Sequence, residues 1–110
     1  MPTPVIPSSH DENTDTLMVN VPANVSSKDE LLDILASELR FPDYFGHNWD
    51  ALEECLLDLS WLKAKRIVIQ HEAYPIQIGE DNLKIYKSIL KRCAIDWEQD
   101  EEHELVIIFP

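Results

Sequence analysis

The chain has 110 residues, 45% of them hydrophobic, which suits one domain with a single core. Twenty-one acids against nine bases give a net charge of −12. That balance disfavours nucleic acid and anionic membranes as partners, and it favours basic proteins, whose encounter it would speed.

Residues 1–13, with Pro2, Pro4 and Pro7 among polar residues, read as a mobile tail, leaving 14–110 as the folded domain. Thr16 to Val21 is apolar and β-branched enough for a strand, stopped by Pro22. Ser27 and Glu30 make a capping-box pattern. The helix predicted from there to Arg40 places Leu32, Leu35, Ala36 and Leu39 on one face.

The next stretch, FPDYFGHNWDALEECLLDL from Phe41 to Leu59, organises the chain. Pro42 biases Phe41 towards an extended backbone. Gly46 can supply an angle that a side chain would forbid. Asn48 stands at an N-cap. In the helix beyond it, Leu52, Cys55, Leu56 and Leu59 form an apolar stripe. Asp50, Glu53, Glu54 and Asp58 fall elsewhere, with Leu57 among them. No lysine or arginine occurs between Arg40 and Lys63, so these acids have no partner at helical spacing. A ridge of unpaired carboxylates beside aromatics suits a strongly basic partner.

Arg66 to Gln70 reads as a buried strand, and His71 to Gly79 as a loop or single turn. Asp81 or Asn82 can cap a last helix that buries Tyr86, Ile89, Leu90, Cys93 and Trp97 and exposes Lys84, Lys87 and Lys91. An acidic connection leads to Leu105–Phe109, LVIIF, the most apolar strand. Strands alternating with helices predict an α/β fold: a small three-stranded parallel sheet packed against helices.

The run FPDYFGHNWDALEECL resembles the signature of the barstar family, in which a Pro-acid-Tyr-aromatic-Gly-x-Asn turn leads into an x-Asp-Ala-Leu-x-acid-Cys-Leu helix. The resemblance implies a small intracellular inhibitor of a secreted or toxin ribonuclease, a basic enzyme whose cleft is filled by carboxylates in place of RNA phosphates. It implies no cofactor, no metal and no chemistry by the inhibitor. Residue by residue, it implies that Tyr44 packs against the enzyme, that Gly46 and Asn48 shape the turn, and that Asp50 meets basic residues. Glu54 stands where the best-known member has an aspartate. Glu53 stands where that member has a tryptophan, and Leu57 replaces a small polar residue. The partner-facing set is therefore Tyr44, Gly46, Asn48, Trp49, Asp50, Glu53, Glu54 and Leu57. A further acidic contact belongs on the last helix, where the sequence offers lysines.

Other readings of the same residues are weaker. A carboxylate pair working as acid and base needs a cleft that raises one pKa, and neighbours on one exposed helix lack it. His47, Asp50 and Glu54 have spacing that permits a metal, but His47 precedes the cap and no second histidine is placed by spacing. The main alternative is an acidic module that binds a basic protein other than a nuclease. Cys55 and Cys93 read as buried thiols in a reducing compartment, with a disulfide between their helices left open. The N-terminus lacks the basic and apolar regions of a signal peptide, so the cytoplasm is expected. The chain is expected to be a monomer, although the lysine row of the last helix could meet an acidic ridge on a second copy.

Overall fold

The computed structural model describes residues 16–43, 45–100 and 102–110. The expected tail and the start of the expected domain, residues 1–15, lie outside them. In chain order the elements are β1 (Thr16–Val21), α1 (Lys28–Glu38), α2 (Trp49–Asp58), β2 (Arg66–His71), a 3-10 turn (Ile76–Ile78), α3 (Glu80–Trp97) and β3 (Glu104–Ile108). The strands form one parallel sheet in the order β1-β2-β3. The fold is α/β, as expected.

The pleat separates the sheet's two faces. Leu17, Val19 and Val21 of β1, Ile67 and Ile69 of β2, and Leu105 and Ile107 of β3 all join the core, which also takes in the buried stripes of the three helices. The alternate positions point away from it. Met18, Asn20, Gln70 and Ile108 are exposed, Thr16 and Val106 are half-buried, and Val68, in the middle strand, is buried there. The helices thus pack over one face, and the sheet shows its other face to solvent.

Helix α1 begins as its sequence predicts. Ser27 Oγ accepts the Glu30 N–H at 3.1 Å. The returning Glu30 carboxylate reaches one residue further back than a capping box would place it, accepting from Ser26 N at 2.7 Å. The helix stops at Glu38, two residues short of the expected Arg40. Arg40 takes a left-handed φ of 56°, Phe41 N donates to Ala36 O at 2.9 Å, and Arg40 N donates to Ser37 O at 3.4 Å. This Schellman pattern satisfies the last carbonyls and turns the chain towards α2.

Helix α3 starts earlier than expected, at Glu80 directly after Gly79, whose φ of 104° breaks the 3-10 turn. Glu80 and Asp81 occupy the first turn, where the helix dipole favours acids. Asn82 is not the cap; its amide donates to Ile78 O at 2.9 Å. Strand β2 runs one residue beyond the expected Gln70 to His71. That imidazole is 3% exposed, with Nδ1 donating to Ile108 O at 2.9 Å. A carbonyl can only accept, so Nδ1 carries the proton, and Nε2 accepts from the Tyr86 hydroxyl at 2.7 Å. Burial lowers the His71 pKa, and the bond to Ile108 partly opposes the shift.

Candidate functional site

Everything in the turn before α2 serves to aim that helix. Phe45 N donates to Pro42 O at 2.9 Å, and the buried Phe45 ring meets Phe41 edge-on at 4.8 Å. Phe41 in turn meets Trp61 edge-on at 6.1 Å. The left-handed backbone expected at Gly46 is found at its neighbour, His47, with φ 51°. Gly46 is needed for a different reason: a Cβ there would lie 3.2 Å from Asn48 Nδ2, crowding the cap. His47 Nε2 sits 2.6 Å from Asp33 Oδ1 on α1, which ties the turn to the first helix. Tyr44 lies outside the described residues.

Asn48 caps α2 as its type predicts. Its Oδ1 accepts from Ala51 N at 2.8 Å, and its Nδ2 donates to Gly46 O at 3.3 Å. Trp49 is half-buried; its Nε1 donates to Asn82 Oδ1 at 3.2 Å, and its ring centre is 6.0 Å from that of Tyr86. It therefore fastens the start of α2 to α3, while Lys28 Nζ lies over its ring, 5.8 Å from the centre. Inward, α2 buries Leu52, Cys55 and Leu56. Trp97 Nε1 donates to Leu56 O at 2.9 Å, a second tie between α2 and α3.

Cys55 and Cys93 are free and buried, so the disulfide left open by the sequence is not formed. Burial raises both thiol pKa values, that of Cys93 to about 12. The acids Glu54 and Asp58 add to the rise at Cys55. Both thiols are protonated, poor nucleophiles.

The outward side of α2 carries Asp50, Glu54, Leu57 and Asp58, all exposed. Among the described residues no base comes within 4.0 Å of Asp50, Glu54 or Asp58. Glu53 departs from the expected ridge of unpaired acids. Its two oxygens accept from Arg92 Nε and Nη2, each at 2.9 Å. This planar two-bond fork raises the Arg92 pKa, through the hydrogen bond first and the charge second. The pair links positions 39 apart, which helical spacing cannot reveal. The sequence reading missed Arg92, and the only signal for it was a lone arginine among the lysines of α3. Asp96, an exposed acid of α3, borders the same hollow as Leu57 and Arg92. No group of three or more His, Cys, Asp or Glu side chains gathers into a metal-holding cluster among the described residues.

What is assembled is an outward-facing helix on which Asp50 and Glu54, the first two of three carboxylates without a base within 4.0 Å among the described residues, stand one turn apart. They rise beside a hollow walled by Lys28, Trp49 and Ile85. The family model Barstar, described as barnase inhibitor, matches residues 17–109. The chain belongs to the barstar family. The match spans β1 to Phe109 and so covers the whole sheet and all three helices. No curated protein matches the chain closely enough to add a second comparison. As a barstar-family protein it is barnase-inhibitor-like. No helix among the described residues is long and apolar enough to cross a membrane.

Proposed function

We propose that this protein inhibits a basic ribonuclease in the cytoplasm by seating the outward face of α2 in the enzyme's cleft. Asp50 and Glu54 take the places of RNA phosphates against arginine and lysine. Charge-assisted hydrogen bonds to a guanidinium are short and often bidentate, and a filled cleft excludes substrate without any chemistry by the inhibitor. Gly46 and Asn48 hold the entry turn, Trp49 anchors the helix, and Tyr44 and Leu57 extend the contact at its two ends. Glu53, held by Arg92, flanks this contact and does not lead it.

The observation that carries the reading is the pair Asp50 and Glu54. They are exposed at i and i+4 on a helix fixed at both ends, with no base within 4.0 Å among the described residues. Like charges at that spacing oppose helix formation, so the arrangement is explained by an external cation. The test is inhibition of the basic secreted and toxin ribonucleases encoded by the same source. The double variant Asp50→Lys with Glu54→Lys should lose inhibition while its circular dichroism spectrum is unchanged. Undiminished inhibition by the double variant would reject this face. If the wild-type chain instead captured a basic protein without nuclease activity, the partner class would be wrong.

A further inference from the structure

The most apolar strand of the sheet lies at its edge. Among the described residues β3 pairs with β2 alone, and its run Leu105-Val106-Ile107-Ile108-Phe109 contains no charge and no proline. Edge strands are usually guarded by lysine, proline, a bulge or a cover, because an open ladder invites pairing. The direction of the open groups follows from two bonds. Glu104 N donates to Lys65 O at 2.8 Å, and Ile108 O accepts from His71. Residues 104, 106 and 108 therefore turn their backbone groups towards β2. By alternation Leu105, Ile107 and Phe109 turn theirs outward.

A channel follows this edge between β3 and α3, and its charge changes sign along its length. Beside Leu105 and Val106 lie Glu98, Asp100, Glu102 and Glu104, against two bases, Lys65 and Arg66, the latter paired with Glu104 at 3.3 Å, so acids outnumber bases at this end. Beside Phe109 lie Lys84, Lys87, Lys91 and Arg92, with Glu98 the one acid among them. Four of only nine bases in the chain thus gather at one end of an apolar strand, in a protein of net charge −12.

We propose that two copies of this chain associate through β3, antiparallel about a two-fold axis at Ile107, to give one six-stranded sheet. Antiparallel pairing places Ile107 opposite its own copy and Leu105 opposite the partner's Phe109. All of these are outward-bonding positions, so each opposed pair exchanges two backbone bonds, about six in all. Val106 then faces the partner's Ile108, and every cross-strand pair is apolar. The same operation sets the lysine end of each channel against the acidic end of the other. A parallel arrangement would set like against like. Self-complementarity of shape, bonding and charge under one rotation is what an isologous interface requires. It selects a second copy over an unrelated strand.

The experiment is sedimentation equilibrium of the full chain at about 0.15 M salt, where the net charge of each copy is screened beyond about 8 Å. The mass should rise with concentration from 12.7 kDa towards twice that value. Two exposed charge-reversed variants, Lys87→Glu with Lys91→Glu and Glu98→Lys with Glu102→Lys, should each remain at the single-chain mass. Mixed together they should recover a dimer, because each supplies what the other lacks at both ends. Slowed amide exchange at Leu105, Ile107 and Phe109 should accompany dimer formation. A wild-type mass that never rises overturns the proposal. So does a dimer indifferent to both reversals, or a mixture that stays single.

Discussion

Helices α2 and α3 lie against each other and bury similar stripes, Leu52-Cys55-Leu56 on one and Tyr86-Ile89-Leu90-Cys93 on the other. Their outer faces differ. On α2, Asp50, Glu54 and Asp58 have no salt-bridge partner among the described residues. On α3 the polar groups are put to use within the fold: Arg92 clamps Glu53, Asn82 holds Trp49, and Lys87 lies 5.3 Å over the ring of Tyr74. Inward packing thus fixes both helices, but among the described residues the charge left without a salt bridge is acidic alone on α2 and mixed on α3, with Lys84, Lys91 and Asp96 among it. Like charges one turn apart cost the free protein helix stability, and under the proposed function a basic cleft would recover that cost on α2, where the unpaired charge is of one sign.

The sharpest way to break this contrast is to truncate each face and read binding. Asp50→Ala or Glu54→Ala should each weaken the complex by about 2 kcal/mol or more, roughly thirtyfold, as expected of desolvated charged anchors at the centre of an interface. Lys84→Ala should change the inhibition constant less than about twofold, since ordinary surface substitutions stay within about 0.5 kcal/mol. Titration of the target nuclease with each variant checks both. Equal losses on the two helices would place the partner across α3 as well.

The contrast sharpens further in the interior, where α3 meets the sheet. Tyr86→Phe removes the hydroxyl that donates to His71 Nε2 and should cost about 1–3 kcal/mol of stability by stranding a buried acceptor, with inhibition by the folded fraction unchanged. The same pair sets a pH dependence. The folded pKa of His71 lies below 6.5, so the native state holds the neutral ring and the unfolded chain binds the proton more readily. The stability contributed is fully present above about pH 6.5 and is lost as pH falls through the folded pKa. Chemical denaturation between pH 7.5 and 5 should show this decline in the wild type. A midpoint that rises on acidification would contradict the neutral assignment.

Asn48→Ala should cost about 1 kcal/mol of stability, the typical worth of a side-chain cap, and thermal melts will read it. This cap was legible in the sequence, as were Ser27, the strand Thr16–Val21 and the helical stripes, because local chemistry and period decide them. Where the chain turned on contacts distant in sequence, legibility ended. Gly46 looked like the left-handed residue, yet His47 adopts that angle because its ring is held by Asp33 on α1. His71 looked like loop, yet it closes β2 because Tyr86 and Ile108 satisfy both its nitrogens. The acid ridge was read correctly at Asp50 and Glu54 as lacking a nearby base. It was misread at Glu53, whose partner comes from another helix.

That misreading supports the subtlest prediction. Arg92 is an exposed partner in its pair, and exposed ion pairs contribute little to stability, so Arg92→Ala should leave the melting temperature almost unchanged. It should still alter kinetics. Removing the guanidinium releases Glu53 and adds one negative charge beside Asp50, so association with a basic enzyme should quicken and depend more steeply on salt. Glu53→Ala should do the reverse, because it leaves a cation facing the incoming cleft. Stopped-flow association at several ionic strengths distinguishes the two variants. If Arg92→Ala slowed association, or weakened the complex mainly by faster dissociation, Arg92 would itself be touching a carboxylate on the partner. The acidic face would then be a mixed-charge surface, selecting an enzyme whose cleft carries an acid of its own.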